Sequence, residues 1–285
     1  MDRRFLVGLI GANIATSMSP ALHELEADRH GVRYLYQLID PSTRGLDLGD
    51  LLVSARRLGF RGLNITHPYK QDVLKFLDEL SPEAALLGAV NTVLFDRERA
   101  TGHNTDRYGF ASGLARQLPG VATGHVVQLG AGGAGAAVAS AIAGTGTRLL
   151  TLADLDRERA ERLAEAIGGS SATTVEVIGP DEVPARLVGA DGLVNATPIG
   201  MEGGHPGLPV AVEHLRPSLW VADVIYRPLE TPLIAAARAR GCRVADGGGM
   251  VVYQAAASFA HFTGLSPDEE LMYADFVRLT GSRRE

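Results

Sequence analysis

The sequence predicts a two-domain α/β protein, and two observations support this fold class. Apolar, strand-like runs alternate with helix-like segments from the start of the chain, and the first run is Phe5–Ile10. A second alternating series begins near His125 and leads into a glycine-rich stretch. Strands that alternate with helices usually form a mainly parallel sheet with helices on its faces. A chain of 285 residues is long enough for two such domains.

The first half of the chain shows this alternation element by element. Pro20 suits the first position of a helix over Ala21–His30, and Gly31 suits its end. Tyr34–Ile39 is typical of a second strand. Apolar residues at helical spacing predict an amphipathic helix over 48–58. We expect a short strand over Gly62–Thr66 and another helix that Pro68 opens.

The second half continues with further strands and a helical tail. Val126–Leu129 precedes the glycine-rich stretch, an Ala-rich helix follows it, and Arg148–Ala153 is the next strand. Later strands are expected at Gly192–Asn195 and Trp220–Asp223, and Arg243–Ala245 is expected to return the chain to the first domain. The tail, about 250–280, is expected to be helical, and the domain joints are expected near 107–110 and 245–250.

Bulk composition excludes several classes of protein. The net charge is −6 and no long Lys/Arg run occurs, so we expect neither nucleic acid nor a membrane surface as a partner. Cys242 is the only cysteine, which rules out an intramolecular disulfide and suits a cytoplasmic location. The N-terminal apolar run is too short for a signal peptide, and no stretch of about 20 apolar residues predicts a membrane helix.

Gly130, Gly132 and Gly135 form a G-x-G-x-x-G motif between a strand and a helix. The first glycine permits the tight turn, the second lets a pyrophosphate approach the backbone, and the third lets helix and strand pack closely. Free N–H groups at the helix start would face the phosphates. This context predicts a Rossmann-type cofactor-binding loop made of six consecutive residues: Gly130, Ala131, Gly132, Gly133, Ala134 and Gly135.

Asp154 follows the next strand, 24 positions after Gly130. An acid about 20 residues after the motif accepts hydrogen bonds from the adenosine ribose and repels a 2′-phosphate. Leu155 follows where an NADP enzyme often carries Arg. We therefore predict NAD as the preferred cofactor, while Arg157 and Arg159 leave NADP use open. The alternative is that Asp154 is a solvated turn residue.

A second set of polar residues lies at the ends of strands in the N-terminal half. Ser17 and Ser19 could hold a carboxylate together with helix N–H groups, or Ser19 could simply cap the helix. Asn64 and Thr66 share one face of their strand. Lys70 in the first turn of the expected helix would oppose the helix dipole, which favours a functional role over that of a surface lysine.

Asn91 and Asp106 complete this polar set. Asn91 lies within an apolar run, and Asp106 precedes an expected helix that it could merely cap. If Asp106 faces Lys70, it would orient the ammonium group. Neither metal-ligand spacing nor a G-x-S-x-G elbow is present, so we expect no metal and no nucleophilic serine.

These motifs together resemble the shikimate/quinate dehydrogenases over nearly the whole chain. The shared segments are Ser17–Pro20, Asn64–Lys70, Gly88–Thr92, Asn104–Asp106, Gly130–Gly135, Asn195–Pro198 and Asp246–Met250. The resemblance implies a substrate-binding domain of residues 1–106 and 246–285, an NAD-binding Rossmann domain of residues 107–245, and an active site in the groove between them. It also implies a monomer or a homodimer that acts on a small hydroxylated ring acid.

The resemblance assigns roles residue by residue. Ser17 and Ser19 would hold the substrate carboxylate. The ring hydroxyls would be held by six side chains: Asn64, Thr66, Lys70, Asn91, Asp106 and Gln254. Tyr226 would lie near the substrate, and the nicotinamide side would be lined by Asn195, Thr197 and Gly249. Lys70 would be the general acid/base, with Asp106 as the second catalytic residue.

Within the family, Asp154-Leu155-Asp156 stands where the common NADP form carries Asn-Arg-Thr. This places the chain closer to the NAD-preferring quinate/shikimate branch. Ser19 stands where quinate-active members can carry Thr, so a small hydroxyl fits shikimate at least as well. Two alternatives stay open: an aminoshikimate-type dehydrogenase, and a nucleotide-binding sensor without turnover.

Overall fold

The computed structural model describes residues 4–43, 45–96 and 99–281. Two compact units make up the chain, one of residues 1–105 and 252–285 and the other of residues 106–251. Both ends of the predicted substrate domain, residues 1–3 and 282–285, lie outside the described residues. The second boundary falls between Val251 and Val252, whereas the sequence prediction placed it between residues 245 and 246.

The first unit contains a mixed six-stranded sheet of order β2-β1-β3-β5-β6-β4. Its elements in chain order are β1 (Arg4–Ile10), α1 (Ser19–Arg29), β2 (Arg33–Ile39), α2 (Leu48–Arg57), β3 (Gly62–Ile65), β4 (Glu79–Leu80), α3 (Pro82–Leu87), β5 (Thr92–Phe95) and β6 (Ala100–His103). Strands β1, β2 and β3 are parallel, but β5 is antiparallel to both β3 and β6. Within the described residues β4 also pairs in parallel with β6, so three of the five strand pairs are parallel, as expected of a mainly parallel sheet.

Helix α2 packs against the apolar face of this first sheet. Ile10, Leu63 and Val93 have no exposed surface, and Leu52 and Ala55 of α2 pack in the same cluster. The apolar side of α2 therefore covers the sheet, as its helical spacing predicted. Ends of β1 and β3 at residues 10 and 65 lie side by side, so the segments that follow them leave the sheet at one edge.

The second unit contains a six-stranded sheet of order β12-β11-β10-β7-β8-β9. Its elements are α4 (Asp106–Gln117), β7 (His125–Leu129), α5 (Gly133–Ala143), β8 (Leu149–Ala153), α6 (Arg157–Ser170), β9 (Thr174–Ile178), α7 (Val183–Leu187), β10 (Gly192–Asn195), β11 (Trp220–Asp223), α8 (Pro232–Ala239) and β12 (Val244–Ala245). All of its strand pairs are parallel. The strand order reverses at β7, which is the pattern of a Rossmann-type sheet, and the predicted fold class is confirmed.

Two helices complete the chain: α9 (Gly248–Thr263) and α10 (Glu269–Gly281). The helical tail expected from about residue 250 is thus two helices, and the boundary between the units falls within α9. Short 3₁₀ turns occupy Pro41–Thr43, Asp72–Phe76, Pro180–Glu182 and Val212–His214. Among the described residues, every helix is too short or too polar to cross a membrane.

Candidate functional site

Ser17 and Ser19 lie together at the start of α1. The Ser17 hydroxyl accepts a 3.2 Å hydrogen bond from the Ser19 N–H and donates one of 3.2 Å to the Ser19 hydroxyl. The residue at the N-cap position is Met18, and no side chain caps the helix. The alternative that Ser19 is a simple N-cap is therefore wrong. Two half-buried hydroxyls beside an uncapped helix start suit an anionic group.

Lys70 lies in a turn rather than in a helix. Residues 67–71 form turns between β3 and the 3₁₀ segment Asp72–Phe76, so the prediction that Pro68 opens an α-helix is wrong. The peptide bond between His67 and Pro68 is cis. The Lys70 carbonyl accepts a 2.8 Å hydrogen bond from the Val90 N–H, which fixes the backbone beside Asn91. The helix-dipole argument for Lys70 is therefore wrong, and its catalytic role stays a prediction.

Asn64 is almost completely buried, with 5% of its surface exposed. Its amide oxygen accepts a 2.8 Å hydrogen bond from the Tyr36 hydroxyl. Its amide nitrogen lies 3.2 Å from the Asn91 carbonyl oxygen and 3.0 Å from both Thr92 Oγ1 and Ser258 Oγ. Every hydrogen of the Asn64 amide is therefore engaged within the first unit.

Asn91 is equally buried and equally well held. Its amide oxygen accepts hydrogen bonds of 2.9 Å from the Thr105 N–H and from Thr92 Oγ1. Its amide nitrogen donates to Thr105 Oγ1 at 2.9 Å. Because a backbone N–H can only donate, it fixes which end of the Asn91 amide is the oxygen.

We call Asn64, Asn91, Thr92, Thr105 and Ser258 the amide–hydroxyl cluster. The sequence revealed its two asparagines but not its hydroxyl residues Thr92, Thr105 and Ser258, nor Tyr36, which binds Asn64 from outside the cluster. Thr92 and Thr105 lie within two of the segments shared with the family, Gly88–Thr92 and Asn104–Asp106, which was a signal for them in the sequence. Ser258 lies in the middle of an apolar helix, where a serine gives no sequence signal of its own.

The glycine-rich loop has the backbone that the motif predicts. Gly130 has φ +94°, and a Cβ there would lie 2.7 Å from the Ala196 carbonyl oxygen. A Cβ on Gly135 would overlap the Gly130 carbonyl oxygen. A Cβ on Gly132 would meet no protein atom within 4 Å, so the space beside Gly132 is open. Helix α5 begins after Gly132 without a side-chain cap, and the loop therefore fits a pyrophosphate at that point.

The side chain of Gln128 binds the backbone of this loop, and the sequence did not reveal this role. Its side chain is fully buried, and its amide nitrogen donates to the carbonyl oxygens of Gly130 at 2.8 Å and Gly135 at 2.7 Å. One amide therefore joins the two ends of the loop. A glutamine inside an apolar strand was a signal that could have revealed it.

Asp154 joins the end of β8 to the glycine-rich loop. One carboxylate oxygen accepts a 2.6 Å hydrogen bond from the Ala131 N–H; the other accepts from the Asp156 N–H at 2.8 Å and from Arg159 Nη2 at 2.7 Å. Burial alone would raise the pKa of Asp154, but the hydrogen bonds from Arg159, Asp156 and Ala131 outweigh it and lower that pKa. Asp154 is therefore a fixed carboxylate and not a solvated turn residue.

The two arginines near Asp154 are paired with acids. Arg157 Nε donates to Glu161 at 2.8 Å on the outer face of α6. Arg159 contacts Asp154, and its Nη1 also lies 3.8 Å from an Asp156 carboxylate oxygen. A 2′-phosphate would have to compete with carboxylates for both guanidinium groups.

Asn195 and Thr197 form a tight turn after β10. The Asn195 amide oxygen accepts from Thr197 Oγ1 at 2.6 Å, and its amide nitrogen donates to Asp223 at 3.1 Å. Asn195 has no exposed surface, so it acts on its surroundings by shaping this turn. Burial raises the pKa of Asp223 to about 6, against hydrogen bonds from Ile225, Thr231 and Asn195.

The remaining predicted residues divide between the units. Gln254 belongs to the first unit, where its carbonyl oxygen accepts from Ser258 Oγ and lies 3.0 Å from Thr105 Oγ1. Asp106 begins α4 and is the first residue of the second unit. Tyr226 lies half-buried after β11. A Cβ on Gly249 would lie 2.7 Å from Gly113 Cα. The close packing of Gly249 against Gly113 is therefore sufficient reason for a glycine at this position.

No group of three or more His, Cys, Asp or Glu side chains within the described residues is placed to hold a metal ion. The cofactor-binding loop, by contrast, has a backbone, an open space and a fixed acid that suit a dinucleotide.

Comparison with known proteins gives the same assignment from a different direction. The family model described as "Shikimate dehydrogenase substrate binding domain" matches residues 9–93. The model described as "Shikimate 5'-dehydrogenase C-terminal domain" matches residues 247–274. A shikimate dehydrogenase (NADP(+)) of Streptomyces avermitilis is 53% identical over 98% of this chain and 97% of its own length. The chain belongs to the shikimate/quinate dehydrogenase family.

Other relatives within this family use a different cofactor. A quinate/shikimate dehydrogenase (NAD(+)) of Corynebacterium efficiens is 49% identical over 96% of this chain and 98% of its own length. The solved quinate dehydrogenase of Corynebacterium glutamicum in complex with NAD is 46% identical, has a TM-score of 0.89, and aligns over 96% of this chain and 99% of its own. Named members of the family are thus oxidoreductases that use NADP or NAD, and similarity alone does not choose between the two cofactors.

Proposed function

We propose that this protein is an NAD-preferring dehydrogenase that interconverts shikimate and the corresponding 3-dehydro acid. The observation that carries the cofactor preference is the Asp154 carboxylate, bound at once to Ala131 of the glycine-rich loop and to Arg159. Family membership carries the substrate class. Quinate is a second substrate in this proposal, because a relative 49% identical is named for both acids.

The side chain of Asp154 supports NAD over NADP in two ways. A carboxylate has about four acceptor positions, and three hydrogen bonds within the protein leave capacity for about one more. A ribose hydroxyl can use that position, whereas a 2′-phosphate would meet a fixed negative charge. The charge of Arg159, which could have attracted the phosphate, is already compensated by Asp154.

The cofactor would be held by the glycine-rich loop, Asp154, and the segment around Thr197 and Gly249, with Asn195 shaping the turn. When bound, a nicotinamide cofactor accepts or supplies a hydride at C4 of its ring. The open space at Gly132 is the feature of this chain that fits its pyrophosphate.

The acid would be held by residues that lie mainly in the first unit. Ser17 and Ser19 supply hydroxyl donors for the carboxylate. The proposed partners of the ring hydroxyls are Asn64, Thr66, Asn91, Gln254 and, from the second unit, Asp106, with Tyr226 near the ring. Of these, Asn64 and Asn91 are presented by a buried hydrogen-bond cluster, which suits precise recognition of a polyhydroxylated ring.

Lys70 is the proposed general acid/base. Its amine accepts the hydroxyl proton when the alcohol is oxidised and returns it when the ketone is reduced. Positioned proton transfer of this kind typically contributes about 10²–10⁴-fold to the rate. We propose that Asp106 is the second catalytic residue, and that it binds a neighbouring substrate hydroxyl. The same proposal places the enzyme in the cytoplasm, where the free thiol of Cys242 would stay reduced.

An assay of nucleotide reduction at 340 nm tests the proposal. Purified protein is mixed with shikimate, quinate or aminoshikimate, each with NAD and with NADP. We expect turnover of shikimate with NAD, and weaker turnover of quinate. Binding of NAD without turnover of any acid would instead support a nucleotide-binding sensor, and preferred turnover of aminoshikimate would replace the substrate assignment.

A further inference from the structure

The amide–hydroxyl cluster contains a residue that no motif accounts for. Ser258 lies in α9 with no exposed surface. Its hydroxyl lies 3.0 Å from Asn64 Nδ2, 3.0 Å from Thr92 Oγ1 and 3.1 Å from Thr105 Oγ1, and it donates to the Gln254 carbonyl oxygen at 2.8 Å. A serine that merely satisfied its own helix would need the last of these bonds alone.

The directions of these hydrogen bonds follow from the groups that have no choice. The Gln254 carbonyl oxygen can only accept, so the Ser258 hydroxyl donates its one proton to it. The Ser258 oxygen then accepts a hydrogen bond from the Asn64 amide. Thr92 then donates to the Asn91 amide oxygen. The Asn64 amide donates to Ser258 Oγ and to Thr92 Oγ1, and Thr92 links it to the Asn91 amide oxygen. Thr105 Oγ1 accepts from the Asn91 amide nitrogen and can donate to Ser258 Oγ at 3.1 Å, which links Asn91 to Ser258 from its other end.

We propose that Ser258 is a positioning residue for substrate recognition, which orients the amides of Asn64 and Asn91 without contacting the acid itself. The proposal rests on the proposed function, because it takes these two amides as partners of the ring hydroxyls. A buried, fully connected hydrogen-bond network holds its members in one arrangement, and removal of a member releases its neighbours. Ser258 connects α9 to three segments of the first unit: the end of β3, the start of β5 and the segment after β6.

Tyr36 holds Asn64 from the opposite side. Its hydroxyl donates to the Asn64 amide oxygen at 2.8 Å, and its ring is buried. Tyr36→Phe therefore loosens Asn64 without touching Ser258, Thr92 or Thr105. Comparison of Tyr36→Phe with Ser258→Ala separates an effect through Asn64 from one through the rest of the cluster.

The kinetic test compares Ser258→Ala with Thr263→Val. Thr263 is a buried hydroxyl residue of the same helix, and its hydroxyl bonds the Phe259 carbonyl and the Leu265 N–H outside the cluster. We expect Ser258→Ala to raise KM for shikimate about tenfold, with KM for NAD unchanged and kcat within about twofold. Thr263→Val should leave all three constants near their original values. Equal increases of KM in both variants would show that Ser258 is only structural.

A double-mutant cycle asks whether Ser258 acts through Asn91. Ser258→Ala is introduced into an Asn91→Ala background, and KM for shikimate is compared with the product of the single effects. Residues that act through one another give strongly non-additive effects. We expect the second substitution to add less than twofold to KM, and a full tenfold increase in that background would contradict action through Asn91.

A spectroscopic measurement keeps the proposal testable if the unaltered protein does not turn over shikimate, the result that defeats the proposed function. The side-chain NH₂ groups of Asn64 and Asn91 are followed in ¹H–¹⁵N spectra of the full chain without ligand. We expect Ser258→Ala to shift both signals and speed their hydrogen exchange, and Thr263→Val to leave them unchanged. Unchanged asparagine signals in Ser258→Ala would overturn the positioning role, whatever the enzyme's activity.

Discussion

The backbone N–H of Ala131 donates a 2.6 Å hydrogen bond to the carboxylate of Asp154. This bond joins the glycine-rich loop after β7 to the residue that directly follows the neighbouring strand β8. Because Arg159 binds the other carboxylate oxygen, the acid is held by the loop and by α6 at once. The side chain that holds the loop is therefore the one to which we assign the choice of cofactor.

Substitution of Asp154 should alter cofactor choice. Asp154→Asn removes the charge that opposes a 2′-phosphate, releases Arg159, and keeps an oxygen that can accept from Ala131. We expect the ratio of kcat/KM for NADP to that for NAD to rise by about 10- to 100-fold, since hydrogen bonds to charged groups contribute about 1.5–3 kcal/mol. Asp156→Asn, which changes a neighbouring carboxylate but keeps a good helix-capping residue, is the control. The prediction fails if both substitutions change the ratio equally.

Two glycines of the loop should respond differently to alanine. The space beside Gly132 is open in the protein, so Gly132→Ala should fold normally and weaken NAD binding at least about tenfold by blocking the pyrophosphate. A Cβ on Gly135 would overlap the Gly130 carbonyl oxygen, so Gly135→Ala should lower the thermal midpoint as well. Thermal unfolding and fluorescence titration with NADH measure the two effects. An equal loss of thermal stability in both variants would contradict this distinction.

Removal of the Lys70 amine should affect the chemical step more than binding. We expect Lys70→Ala to lower kcat by about 10²–10⁴-fold while KM for shikimate changes little. Lys75→Ala is the control, because Lys75 lies close by in sequence with its ammonium group 5.0 Å from the Phe76 ring centroid. A large rise in KM with kcat intact would make Lys70 a binding residue.

Asp223 should make stability depend on pH. Burial raises its pKa from 3.8 to about 6 in the folded chain. Between pH 3.8 and pH 6, Asp223 therefore holds a proton in the folded state that it has lost in the unfolded state. The protonated carboxyl group stabilises the folded state fully below about pH 4, and this contribution is lost as pH rises through 6. Asp223→Asn removes this dependence, so its free energy of unfolding relative to the unaltered protein should rise by about 2 kcal/mol between pH 4 and 7. Urea unfolding at both pH values checks this, and a pH-independent difference would refute it.

Local patterns were sufficient to predict the fold. The apolar runs before Gly11 and Gly130 correctly predicted β1 and β7. The helical spacing of apolar residues over 48–58 correctly predicted α2, because a helix that is buried on one face requires that spacing. Pro68 misled the prediction, because a proline fits a turn as well as a helix start. The change from parallel to antiparallel pairing at β5 was missed, since strand direction depends on contacts that are distant in sequence.

The candidate site was predictable only in part, for a related reason. Residues in quoted motifs, such as Asp154, were found because their spacing carries chemical meaning. Gln128, Arg159 and Ser258 act through hydrogen-bond partners that the fold brings together. The sequence pattern around each residue does not identify those partners. Side-chain hydrogen bonds, at sequence separations from 2 residues (Gln128 to Gly130) to 194 residues (Asn64 to Ser258), are therefore what the structure adds to the motifs.

The central claim is that the unaltered protein oxidises shikimate with NAD in preference to NADP, because Asp154 is a fixed carboxylate. Its most direct test is kcat/KM for each nucleotide at saturating shikimate. We expect a value for NAD at least about tenfold higher than for NADP, in line with a difference of about 1.4 kcal/mol in transition-state stabilisation. A higher value for NADP, as the name of the relative that is 53% identical would suggest, would contradict it.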